Sequence, residues 1–164
     1  MLSLLFKSGE PAIINVLSAA ASLPVPGASV YNSSKRAALS FTESLLQELA
    51  PKGVYVGMVL SGPVKTGLYG LRENKGENRQ KVKENIITNV GVSAEREAQR
   101  IICDISKRKT RIICGIIAKS MNAAYSKAPV LSVKVAANVM RLLPLKTFKD
   151  LLKRDKNKKR GKQL

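Results

Sequence analysis

Ser18-Ala19-Ala20-Ala21-Ser22-Leu23-Pro24-Val25-Pro26-Gly27-Ala28-Ser29-Val30-Tyr31-Asn32-Ser33-Ser34-Lys35 is the stretch whose reading decides the fold. Immediately before it, Ala12-Ile13-Ile14-Asn15-Val16-Leu17 is apolar, β-branched and short enough for one buried strand. Pro24, Pro26 and Gly27 mark a loop. From Ser29 a helical pattern runs to about Ala50. A serine therefore stands at the tip of a strand, and Tyr31 and Lys35 stand at i and i+4 on one face of the next helix.

That trio is a candidate proton-transfer site. A free phenol titrates near pH 10 and exchanges its proton poorly at neutrality. A neighbouring ammonium favours the phenolate and lowers that value. A serine hydroxyl aimed at the same point can hydrogen-bond a substrate oxygen while the phenol exchanges its proton. A Tyr-x-x-x-Lys spacing alone is weak, because lysine is frequent in this chain; its surroundings carry the argument.

Ser18 precedes Tyr31 by 13 residues, and Ser34 fills the small-residue position before Lys35. After the helix, Val54-Tyr55-Val56-Gly57-Met58-Val59-Leu60 reads as a second buried strand running into Ser61-Gly62-Pro63-Val64-Lys65-Thr66. In this order and spacing the chain resembles the short-chain dehydrogenase/reductase family. There a strand ends in the catalytic serine, Tyr-x-x-[Ser/Ala]-Lys follows, and a Pro-Gly-x-Val-x-Thr loop closes the next strand. Ser61 stands where that proline is usual.

The resemblance implies NAD(P)-dependent interconversion of an alcohol and a carbonyl. Tyr31 would be the acid/base, Lys35 its partner and a ribose contact, and Ser18 the donor to the substrate oxygen. Gly62, Val64 and Thr66, with Tyr31 and Lys35, would contact the cofactor, NAD or NADP. It also implies a homodimer paired through the helix 29–50, and an α/β fold holding the C-terminal half of a doubly wound, Rossmann-type parallel sheet. Strands are expected near 12–17, 54–60 and 111–115. By the same resemblance Met1–Ser8 is the end of the helix before the serine's strand, and the resemblance covers residues 1 to about 145.

The family's glycine-rich cofactor motif cannot be mapped, since no two glycines here lie two residues apart. Such glycines let backbone approach a pyrophosphate at a helix N-terminus. The chain as it stands is therefore expected to be incomplete, with poor cofactor affinity and no turnover by itself. The alternative is a non-catalytic fragment acting as an interaction or membrane-surface module. An open, apolar sheet edge is expected where strands are missing.

Gly67 to Val92 is polar and poorly periodic; by resemblance it is the substrate-binding loop. Ser93 is an expected N-cap, with Glu95 and Glu97 in the first turn, and Ala94, Ala98, Ile101, Ile102 and Ile105 are the expected buried face. The helix 29–50 carries an apolar stripe of Ala38, Leu39, Phe41, Leu45, Leu46 and Leu49.

Histidine is absent, which removes Ser-His-Asp and Cys-His catalysis and His-based zinc sites; no metal is expected. Cys103 and Cys114 read as buried free thiols of an intracellular protein, cytoplasmic or peripherally bound to an intracellular membrane and not secreted. The domain reading is 1–128 for the family-like part, 129–145 for an amphipathic helical extension and 146–164 for a basic tail. Lys146 to Lys162 holds nine basic residues against Asp150 and Asp155, within a net charge of +18. A solvated tail and an anionic membrane surface contacted through 129–162 both remain open. Nucleic acid lacks support, with aromatics at 4% and no recognition motif. The substrate class is a small alcohol or carbonyl, with an apolar or lipid-like one suggested by the tail.

Overall fold

The computed structural model describes residues 2–66 and 91–142. Helix α1 (Leu2–Leu5) leads into β1 (Ala12–Ser18), a 3-10 turn (Ala19–Ala21) and the 21-residue helix α2 (Ser29–Leu49). Then come β2 (Tyr55–Ser61), two-residue strands β3 (Val64–Lys65) and β4 (Val92–Ser93), α3 (Ala94–Ser106), β5 (Arg111–Cys114), α4 (Ile116–Lys127) and α5 (Pro129–Leu142). The three expected strands form one parallel sheet in the order β1-β2-β5. The α/β, partial Rossmann-type reading holds. Expectations for residues 67–90 and 143–164, the substrate loop and basic tail among them, lie outside the described residues.

The central strand explains why apolar runs without alternation were needed. Val56, Met58 and Leu60 pack on the α2 side with Leu17, Leu39 and Leu49. Val59 faces the other way, into Ile112, Cys114 and the partly buried Ile14, Ile101 and Ile105. A strand covered on both faces must be apolar throughout. On β1 only Leu17 is buried, and Val16, on this sheet-edge strand, is 61% exposed.

A polar rivet fixes α2 on the sheet. Asn15 Nδ2 donates to Thr42 Oγ1 at 2.9 Å, and the Thr42 hydroxyl donates to the Ala38 carbonyl at 2.7 Å. Thr42 is fully buried, so the bond satisfies groups that water cannot reach. The helix stops where Gly53 turns left-handed (φ 76°) after Pro51, as the Pro-Lys-Gly sequence demands.

Helix α3 differs from the expected pattern. Ser93 is its N-cap, accepting from the Arg96 amide at 3.4 Å. Its inward positions, however, are Glu97, Ile101, Asp104 and Ile105, whereas Ala94, Ala98 and Ile102 are exposed. Two acids can be buried because partners meet them. Ser61 donates to Glu97, while Arg100 Nε at 2.8 Å and Lys109 Nζ at 2.7 Å hold Asp104. Cys103 shares the outward face and is exposed, so only Cys114 is the buried thiol that was expected. On α2, Phe41 likewise points out of the sheet-facing stripe.

Candidate functional site

The strand register aligns the sheet's carboxyl ends, pairing Ser18 with Ser61 and Ser61 with Cys114. In open parallel sheets this edge is where ligands bind. Ser18 ends β1 and caps the 3-10 turn, its Oγ accepting the Ala20 amide at 3.2 Å. That use of a lone pair leaves the hydroxyl proton free to donate elsewhere.

Tyr31 and Lys35 lie one turn apart at the start of α2. The Lys35 ammonium sits 5.7 Å from the Tyr31 ring centroid, within cation–π range, and the tyrosine is 48% exposed. Ser34 Oγ donates to the Tyr31 carbonyl at 2.8 Å. The pair is therefore brought together as its spacing demands. Ser18 approaches the same helix through packing of Leu17 and Ala21 on Leu39.

Gly62, Val64 and Thr66 follow the end of β2. The Gly62 amide donates to the Cys114 carbonyl at 3.2 Å, and a Cβ on Gly62 would lie 3.1 Å from that same oxygen, so glycine suits the approach. Val64 pairs with Val92 in the β3–β4 ladder, and Thr66 is exposed.

Several positioning residues were not found by motif. Asn32, buried beside Tyr31, clamps the loop between Ser18 and the helix: its Nδ2 donates to the Val25 carbonyl at 2.7 Å and its Oδ1 accepts the Val25 amide at 3.3 Å. Arg36 Nη1 donates to the Ala21 carbonyl at 2.7 Å, and its guanidinium stacks 4.9 Å from the Tyr125 ring centroid. The i, i+4 polar pair Asn32 and Arg36 was visible as spacing, but its backbone targets were not. Glu97 is the other. One carboxylate oxygen accepts from Ser61 where the post-β2 loop begins, and the second is buried with no partner among the described residues. Burial, with this carboxylate nearby, pushes the Cys114 thiol pKa up.

A groove of about 640 Å³ opens along α2 between Ser22, Arg36 and Tyr125. Ser18, Tyr31 and Lys35 do not line it. Among the described residues no cluster of potential ligands could hold a metal ion.

Comparison with known proteins accords with this geometry. Residues 1–77 match the family model for short chain dehydrogenases. A Mycobacterium tuberculosis protein named as an oxidoreductase, SadH, is 31% identical over 148 residues, covering 84% of this chain and 51% of its own length. A Burkholderia cenocepacia short chain dehydrogenase solved in complex with NADP is 28% identical with a TM-score of 0.58, covering 86% of this chain and 52% of that one. A Burkholderia phymatum short chain dehydrogenase/reductase in complex with NAD shares the fold at 21% identity and a TM-score of 0.64, covering 77% of this chain and 50% of that one. The chain belongs to the short-chain dehydrogenase/reductase family. It spans about half the length of SadH.

Proposed function

We propose that this chain carries the proton-transfer side of an NAD(P)-dependent oxidoreductase that interconverts an alcohol and a carbonyl. The supporting observation is the Lys35 ammonium 5.7 Å from the Tyr31 ring centroid, in the helix that follows the strand ended by Ser18. In the reducing direction, the Tyr31 hydroxyl gives its proton to the oxygen of the substrate carbonyl. Lys35 favours the phenolate left behind, and Ser18 donates a hydrogen bond that holds the same oxygen. In the oxidising direction the phenolate takes the alcohol proton back.

The residues present suit the nicotinamide end of a dinucleotide. Lys35 would contact the ribose, and Gly62, Val64 and Thr66, which follow β2, would offer backbone and hydroxyl groups. A bound nicotinamide supplies or accepts the hydride. The comparisons include complexes of related proteins with NADP and with NAD, and neither is chosen for this chain. Pairing of two copies through α2 is supported by Val30 and Phe41, exposed eleven residues apart on its outer face. The test is carbonyl reduction by the product of the full reading frame, with NADH and NADPH each offered. Tyr31→Phe should abolish turnover while leaving cofactor affinity within about threefold. Equal rates with and without the phenolic hydroxyl would refute the assignment.

A further inference from the structure

Helix α5 rests on α4 through one narrow side, where Ser132 is 8% exposed and Ala136 half-buried. The side next to it carries Leu131, Val135 and Val139, exposed by 61%, 50% and 47%. At i, i+4 and i+8 they form one continuous stripe, with Val130 beside it at 69% exposure. Lys134 borders the stripe, and residues 129–142 contain no acid. An apolar stripe left in water normally marks a docking surface.

We propose that this stripe docks on an anionic lipid surface, with the helix lying in the plane of the interface. Charge decides among the occupants. From residue 129 onward the chain holds half of its net +18, and the run 146–162 that follows the helix contributes most of it. A second copy would bring like charge against like charge. A nucleic acid would meet the cations but leave the leucine and valines unused, with no aromatic residue on the helix to stack a base. A bilayer with anionic headgroups suits both the stripe and the charge: acyl chains take the apolar side chains and headgroups attract the net positive chain. No described helix is long and apolar enough to cross a membrane, so the contact is a surface one. The surface lies outside the Tyr31–Lys35 site, and the inference stands whether or not that site is active.

The experiment is co-sedimentation of the 164-residue chain with vesicles, either of phosphatidylcholine alone or with about one lipid in three replaced by phosphatidylserine. Binding should be at least about tenfold tighter on the anionic vesicles and should fall in high salt. The triple variant Leu131→Ser, Val135→Ser, Val139→Ser should lose about tenfold or more on the same vesicles with unchanged circular dichroism. Replacing Lys158, Lys159, Arg160 and Lys162 by glutamine should weaken binding without touching the helix. Equal binding to both vesicles would overturn the proposal. So would a triple variant that binds like the parent, or a parent dimer in light scattering that the triple variant breaks while neither protein sediments with vesicles.

Discussion

Ser61→Ala isolates the least satisfied contact in the fold. Glu97 is 5% exposed; one of its oxygens accepts the Ser61 hydroxyl and the other has no partner among the described residues. Deleting the hydroxyl removes little volume, so no cavity term enters. It does leave a buried carboxylate with neither oxygen paired among the described residues. Hydrogen bonds to charged groups contribute about 1.5–3 kcal/mol net, and an orphaned charge costs at the upper end of that range. The expected loss is thus about 2–3 kcal/mol. With a urea dependence of about 1–3 kcal/mol per molar, the unfolding midpoint should drop by about 0.7–3 M. Glu97→Met on the Ser61→Ala background should restore most of it, because replacing both partners by apolar groups removes the orphan. If Ser61→Ala leaves the midpoint within about 0.2 M of the parent, water reaches Glu97 and the reasoning fails.

Other outcomes follow from the same geometry. Hydrogen bonds from Lys109 and Arg100 hold the Asp104 carboxyl below the usual carboxylate range. A depressed folded-state value means its contribution is complete above the unfolded value near 4 and is lost as pH falls through the folded one. The urea midpoint should therefore decline below about pH 4, and less steeply in Asp104→Asn; an identical profile in that variant would count against the pairing. In the native chain an aromatic disulfide reagent should label Cys103 quickly and Cys114 only after unfolding, since Cys114 is buried and its thiol is pushed up. Fast labelling that survives Cys103→Ser would contradict this. The 164-residue polypeptide should show no saturable NADH or NADPH fluorescence change at micromolar cofactor, because positioning is worth about 7–11 kcal/mol and no glycine-rich pyrophosphate cradle occurs in its sequence. A stoichiometric isotherm competed by the oxidised form would reverse that expectation.

The sheet was legible because its chemistry is local. A parallel strand covered on both faces must be apolar at every position, and Val54–Leu60 says so without help from elsewhere; the largely apolar run Ala12–Leu17 marks the edge strand beside it. Helix α3 was not fully legible, because burial there depends on partners. Periodicity counts apolar residues, so it puts Ile102 inward and cannot see that Ser61, 36 residues away, makes room for Glu97. The two-residue ladder β3–β4 is set by pairing across residues 67–90 and carries no apolar run of its own. Helix α4 begins directly after Gly115 with no side-chain cap, so the usual start signal is missing from its sequence.

The site shows the same division. Tyr31 and Lys35 announce themselves because a helix converts a four-residue spacing into contact. What sets the place of Ser18 relative to them is less visible. Asn32 and Arg36 follow Tyr31 and Lys35 by one residue each, so on a 3.6-residue turn they occupy the adjoining face of α2. That face grips Val25 and Ala21, the backbone that leads away from Ser18. One helix thus presents Tyr31 and Lys35 on one side and holds the strand-to-helix connection with the next. The proline-rich loop need not be stiff for the serine and the tyrosine to keep their relation; the helix and the strand under it fix both ends.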